Sequence, residues 1–277
     1  MAGVLPRRLR EPLGSRIRLG RFNPACSLPE PLDLSPLAAV RTADADRLLD
    51  PAWLERLLAG LGLSEDLGSR SLFPDELSPF LGTGLRQAQY PNQLAPYLVE
   101  LAGRRIRSYL EIGAQHGGTL LLLSEYLRRT SGLERALAVD LYRVPAIADY
   151  RQAKPAVEVR AIRTSSASRR FRRLVEDEGP FDLVMIDADH TEEACRRDFE
   201  AVREHSRLIA FHDVVGSDTP GVVAVWDDVK RSYGGEFDFS EFVAQYPQVQ
   251  AAHQGACFLG IGLAARRESP QPANALG

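Results

Sequence analysis

From residue 85 onward, short apolar runs alternate with stretches in which apolar residues recur every three to four positions. A compact apolar run bounded by turn residues predicts a buried strand, and the 3.6-residue period predicts a helix. On that reading 107–112, 136–140, 157–162, 181–186 and 207–211 are strands. The stretches 117–129, 145–153, 166–176, 192–204 and 222–233 are helices between and after them, and 237–243 and 256–263 are two late strands. Strands separated by helices cannot pair as tight hairpins, so they lie parallel, with helices covering both faces of the sheet.

Before residue 85 the pattern is different. Residues 1–45 are rich in Pro, Arg and Gly, show no sustained period, and predict an irregular arm. A helix then begins with Asp50 as its cap and Pro51 in its first turn, and buries Trp53, Leu54, Leu57, Leu58 and Leu61 along one stripe. Gly60 and Gly62 end it, and a loop with Pro74 and Pro79 follows. Pro91 opens a further helix carrying Leu94, Tyr97, Leu98 and Leu101. The tail from Arg266 is polar and proline-containing, and is expected to be disordered. The expected organisation is an arm and helical extension over 1–84, an α/β domain over 85–265 and a tail over 266–277. The fold class is α/β, a Rossmann-like, doubly wound, mostly parallel sheet of seven strands.

Composition narrows the function classes. The 277 residues carry a net charge of −3, which gives no bias toward nucleic acid or a membrane surface. All cationic residues except Lys154 and Lys230 are arginines, a skew that fits GC-rich coding better than a phosphate-binding surface. Cys26, Cys195 and Cys257 are widely spaced with no CxxC pair, so neither a disulfide framework nor a zinc site is expected, and a reducing cytoplasm fits. The longest apolar runs, such as 119–123, are too short to span a bilayer. The arginine-rich start of the chain has no apolar core and is no secretory signal; a transit peptide shares its basic character, and a disordered basic arm is the plainer reading.

In an open parallel sheet, ligands bind at the carboxyl ends of the strands. Glu111-Ile-Gly113-Ala-Gln115-His-Gly117-Gly118-Thr119 follows the first strand. Its glycines let the backbone turn sharply beside a ligand, and the helix after it offers free N–H groups. Gln115 stands where a dinucleotide fingerprint needs its second glycine, and Gly118-Thr119 lacks the lysine of a P-loop. Asp140 ends the second strand, where a carboxylate can accept from ribose hydroxyls or simply cap a turn. Ser165 and Ser166 follow the third, as ligand contacts or as helix caps.

Two denser clusters follow. Phe181-Asp-Leu-Val-Met-Ile-Asp187-Ala-Asp189-His190 runs a strand into two carboxylates and an imidazole, and Phe211-His212-Asp213-Val214 repeats the theme. Carboxylates facing one cleft repel unless a hard cation such as Mg²⁺ relieves them, which offers Asp187, Asp213 and Asp189 as ligands. An imidazole beside them can take a proton from a hydroxyl, the role expected of His190.

The pattern E-x-G-x-x-x-G resembles the first motif of class I S-adenosylmethionine-dependent methyltransferases. The clusters at 187–190 and 211–214 resemble those of a subgroup containing cephalosporin-hydroxylase-like proteins and macrolide-sugar O-methyltransferases of the mycinamicin type. The resemblance covers about residues 85–265 and includes Gln89-Tyr-Pro91, 192–198 and Pro220-Gly221-Val222 with Trp226. It implies S-adenosylmethionine held by Glu111, Gly113, Gly117, Asp140, Ser166 and Asp187. It also implies Mg²⁺ on Asp187 and Asp213, with Asp189 a weaker ligand, and His190 as the base; His212 would touch the substrate or support the site. The acceptor implied is a hydroxyl of a sugar or other natural-product diol. The chain departs from the subgroup at Glu204-His-Ser-Arg207, where Gly-Gly is usual, and at Ala188, commonly Gly. The first 84 residues match no pattern, and could cover the site or build a contact between copies.

Three other readings stay open on the residues. Asp187-Ala-Asp189 is also the D-x-D of a metal-dependent glycosyltransferase. The chain could be a cofactor-binding scaffold without turnover. His190, His212 and Asp213 keep a two-histidine, one-carboxylate iron site, and with it a hydroxylase role, in view.

Overall fold

The computed structural model describes residues 31–65 and 70–267. Seven strands form one sheet in the order β3-β2-β1-β4-β5-β7-β6. They are β1 Ser108–Ile112, β2 Arg135–Asp140, β3 Glu158–Arg163, β4 Phe181–Ile186, β5 Ser206–His212, β6 Phe237–Phe242 and β7 Ile261–Arg266. β1 to β5 pair parallel, and β7 runs antiparallel between β5 and β6. The doubly wound architecture expected from the alternation is the one observed.

Period-two alternation within the strands divides the core. Tyr109, Ala136, Ala138, Leu183, Met185, Leu208 and Ala210 face one layer of helices: α1 Leu37–Thr42, α2 Pro51–Gly60, α3 Pro91–Ala102, α4 Gly118–Thr130 and α5 Pro145–Gln152. Leu110, Ile112, Leu137, Val139, Val184, Ile186, Ile209 and Phe211 face the other: α6 Arg169–Glu178, α7 Glu192–Val202 and α8 Pro220–Ser232. A short helix, α9 Pro247–Ala252, lies between the last two strands. Buried on both faces, β1, β4 and β5 read as nearly continuous apolar runs, which is why the sequence locates them well.

Four differences from the expected elements have identifiable causes. The last strand is β7, not 256–263. Leu259 (φ 60°) and Gly260 (φ 94°) sit in the left-handed region, which no strand accommodates, and the strand continues through Arg266 into the stretch expected to be tail. Helix α6 starts at Arg169 rather than 166, because the Ser168 hydroxyl accepts from the Phe171 N–H (3.1 Å) and caps it. Helix α1 forms inside the stretch expected to be irregular, with Leu37 and Val40 buried in the core that includes α4. Helix α9 lies between late strands where no helix was expected. Most of the basic arm (1–30) and the tail from 268 lie outside the described residues.

Most consequentially, the extension is no separate unit. Leu48, Leu54, Leu58 and Leu61 share the core with α3 and α4. Glu125 of α4, 2% exposed, is met by Arg41 (2.7 Å), Arg128 (3.3 Å) and the Tyr150 hydroxyl (2.8 Å). Arg129 donates to the carbonyls of Val40 and Ala43 (3.1 and 2.7 Å). Glu125→Ala strands Arg41 and Tyr150 without their acceptor. It should lower stability by about 2–3 kcal/mol, less than for a fully dry pair because Arg41 reaches water; urea unfolding of the variant checks this.

Candidate active site

The sheet order reverses between β1 and β4, and such a switch point opens a cleft at the carboxyl ends of the strands. The turn after β1 lines one side of it. Gly113 (φ 92°) and Gly117 (φ 89°) adopt the left-handed conformations that glycine permits, and Gln115 (φ 46°) joins them. Gly113 packs so closely on the turn after β4 that a Cβ there would lie 2.0 Å from the Asp187 carbonyl oxygen. The turn is thus locked against the Asp187 turn, and α4 begins directly after it, its first N–H groups free of helix partners.

Asp140, at the end of β2, accepts from the backbone N–H of Gln115 (2.8 Å, Oδ2) and of Tyr142 (2.8 Å, Oδ1). It therefore pins the glycine turn to the loop after β2, and a carboxylate's four acceptor sites leave capacity for ribose hydroxyls. Glu111 is buried beneath the turn. Burial pushes its carboxyl up to about 8, partly offset by the Tyr109 hydroxyl that donates to it, so without a cation nearby it holds its proton at neutral pH. Ser166 is half-buried and stands beside the Asp198 carboxyl of α7, which burial raises to about 6.

Asp187, His190, His212 and Asp213 converge at the ends of β4 and β5. Asp213 (φ 64°) adopts a left-handed conformation that a short polar side chain tolerates. The His190 ring bridges the two carboxylates, 3.4 Å from Asp187 Oδ1 through Nε2 and 3.4 Å from Asp213 Oδ2 through Nδ1. It remains 41% exposed, within reach of a ligand in the cleft. Burial lowers its pKa, but the Asp187 hydrogen bond and the Asp213 and Asp187 charges outweigh that and raise it overall. Asp189 sits apart in function: exposed, it accepts from the Thr191 N–H (2.9 Å) ahead of α7.

His212 is the unexpected member. It is buried, its Nε2 lies 3.1 Å from the Ala88 carbonyl, and its Nδ1 lies 3.0 Å from Asp213 Oδ1 and 3.3 Å from Asp187 Oδ1. Burial lowers its pKa, yet the two carboxylate charges and the Asp213 contact raise it to about 10. Among the described residues no cluster of His, Cys, Asp and Glu has a geometry that could hold a metal ion. Mg²⁺ takes oxygen ligands and keeps several waters, and here an imidazole stands against both carboxylates that would face it. The donor set does not fit the expected Mg²⁺, and Asp189 serves the start of α7.

Sequence reasoning missed the strap that holds His212. Residues 85–88 cross the start of α4, where a Cβ on Gly118 would lie 1.7 Å from the Leu85 carbonyl oxygen. The strap is bonded strand-like to the extension: Leu85 N–H to Leu61 O (2.8 Å), Gln87 N–H to Gly62 O (3.1 Å) and Ser64 N–H to Gln87 O (2.9 Å). Buried Gln93 fixes the next segment, donating to Ala244 O (2.7 Å) and accepting from Gly260 N–H (3.0 Å). The tripeptide Gln89-Tyr90-Pro91 was the available signal, but nothing in it shows that the Ala88 carbonyl reaches a histidine on β5.

Residues 110–214 match the model of a family described as a methyltransferase domain. Among solved structures, an O-methyltransferase from Bacillus cereus in complex with SAH is 17% identical, with 83% of this chain and 95% of that one covered, at a TM-score of 0.45. The O-methyltransferase TomG from Streptomyces achromogenes, involved in tomaymycin synthesis and in complex with SAM, is 17% identical, with 82% and 92% covered, at 0.47. The mycinamycin-pathway methyltransferase MycE, in complex with Mg and SAH, is 15% identical, with 66% and 51% covered, at 0.43. No curated protein matches the chain. The family match lies over β1 to the end of β5, on a sheet of the doubly wound order with a glycine turn at its switch point, so that stretch of the chain is similar to a methyltransferase domain.

Proposed function

We propose that the protein transfers a methyl group from S-adenosylmethionine to a hydroxyl oxygen of a small molecule, with His190 as general base. The observation that carries this reading is the His190 ring, solvent-accessible between two carboxylates, at the same strand edge as the Gly113–Gly117 turn. A sugar or other natural-product diol is the acceptor class that the resemblance suggests.

The cofactor supplies an electrophilic methyl group on a sulfonium centre. The protein's part is positioning and proton transfer. The glycine turn and the first turn of α4 cradle the nucleoside, with Asp140 placed for the ribose hydroxyls. Glu111, buried beneath the turn, can ionise to balance the cofactor's positive charge. His190 accepts the hydroxyl proton at a ring nitrogen as the oxygen–carbon bond forms and the methyl–sulfur bond breaks, its electron pair leaving with S-adenosylhomocysteine, and Asp187 and Asp213 stabilise the imidazolium that results.

A glycosyltransferase would instead need Asp187 and Asp189 to share a metal, whereas Asp189 spends an oxygen on the Thr191 N–H. Calorimetry decides between the two. S-adenosylhomocysteine should bind, nucleotide sugars should not, and Asp140→Ala should weaken binding by about 10–100-fold, the cost of losing hydrogen bonds to a charged group. Binding of a nucleotide sugar without S-adenosylhomocysteine would reverse the assignment.

A further inference from the structure

We infer that Asp198, buried on α7, is a positioning residue for cofactor choice: it fixes the hydroxyl of Ser166 so that the site reads the 6-amino group of an adenine and rejects a 6-oxo purine.

The strand order gives the direction in which a nucleoside lies. His190 stands at the ends of β4 and β5, and Asp140 at the end of β2. A donor with its sulfonium at the first and its ribose at the second extends its base toward β3. The loop after β3 is tied to that point, because Asp140 is the register partner of Arg163 and its carbonyl accepts from the Thr164 N–H (2.9 Å). Leu141 and Tyr142, 40% and 47% exposed, give the base a flank on which to stack.

Two of the serines in that loop are engaged locally. Ser165 accepts from the Ala167 N–H (3.1 Å), while Ser168 caps α6 and meets the Thr164 hydroxyl (2.9 Å). Ser166, half-buried, instead stands beside the Asp198 carboxyl. Asp198 is fully buried, and among the described residues no aligned hydrogen bond reaches either of its oxygens. Arg197 Nε, 3.6 Å from Oδ1, is too distant to supply one. A buried carboxylate without a donor is costly, and a serine hydroxyl turns about one bond, so the single Ser166 hydrogen goes to Asp198. Burial raises the Asp198 carboxyl to about 6, so at pH 8 it is ionised and can only accept. The Ser166 oxygen then presents lone pairs alone. They suit the N–H of a 6-amino group and oppose the oxygen of a 6-oxo group.

The inference rests on the methyl-transfer reading, but its test needs no acceptor. Full-length protein at pH 8 is titrated by calorimetry with S-adenosylhomocysteine and with S-inosylhomocysteine, its deaminated analogue. The wild type should prefer S-adenosylhomocysteine by about 10–100-fold, the effect of opposing two acceptors where one hydrogen bond stood. Asp198→Asn can give an amide hydrogen to the Ser166 oxygen and free the Ser166 hydrogen for a 6-oxo group, so the ratio should fall to about 3-fold or less. A purely structural Asp198 would weaken both ligands alike and leave the ratio unchanged. Ser166→Ala should show the same fall, and adding Asp198→Asn to it should not move the ratio further. If Asp198→Asn fails to fold, Asp198→Leu, branched at the same carbon and uncharged, serves in its place. Equal affinities in the wild type, or a wild-type ratio kept by Ser166→Ala or by a folded Asp198 variant, overturns the inference. Failure of both nucleosides to bind the wild type would instead remove the methyl-transfer reading.

Discussion

Replacing His190 with alanine should lower methyl transfer by about 10²–10⁴-fold, the usual contribution of a positioned general base. Affinity for S-adenosylhomocysteine should stay as in the wild type, because the ring touches Asp187 and Asp213 rather than the glycine turn. The pH profile gives a second readout. Burial lowers the His190 pKa, while the Asp187 hydrogen bond and both carboxylate charges raise it by more, so the titration lies above the ordinary imidazole value of 6.5. A base acts only when neutral, so kcat/KM should rise with pH through that raised pKa and level off above it. Asp213→Asn removes one of the raising charges and should move the inflection to lower pH. Single-turnover measurements on His190→Ala at the wild-type rate, or a profile falling where it should rise, would remove His190 from the role.

Gly113→Ala should disable the protein differently, losing cofactor affinity and turnover together. At φ 92°, any L side chain is strained by about 1–2 kcal/mol. The added Cβ would also lie 2.0 Å from the Asp187 carbonyl oxygen and 2.6 Å from the Ala188 Cα, so the two turns at the switch point must separate. The combined cost should reach about 3 kcal/mol or more, in the range of severe single substitutions. Gly132→Ala is the matched control. Its φ of 79° carries the same conformational strain, but nothing lies within 4 Å of the new methyl group. It should lose only about 1–2 kcal/mol and bind cofactor normally. Thermal melting and calorimetry on the pair separate backbone strain from loss of the site; equal behaviour would mean that the contact with the Asp187 turn is unimportant.

Much of this was legible from residue order. That Asp187, His190 and Asp213 come together is legible because strand ends in a parallel sheet share one edge, and their strands are apolar enough to be unmistakable. The glycine turn was legible because only glycine readily takes the conformations seen at 113 and 117. Asp140 ends β2 as expected, but its hold on the Gln115 N–H follows from the curl of the turn, which the sequence does not show. The role of the extension was less accessible. Leu61, Gly62 and Ser64 bond to the strap through backbone groups that every residue type carries, so no side-chain pattern records the pairing. His212 illustrates the same limit. The motif Phe-His-Asp suggested a contact near substrate, and only the Ala88 carbonyl, brought in from a distant strap, fixes which nitrogen faces the carboxylates.

The most direct measurement is a crystal structure with S-adenosylhomocysteine bound. The expected result is density with the ribose on Asp140, the nucleoside against the Gly113–Gly117 turn, and the sulfur facing the cleft in which His190 stands between Asp187 and Asp213. A ligand seated elsewhere, or one whose sulfur points away from that cluster, would contradict methyl transfer at this edge of the sheet.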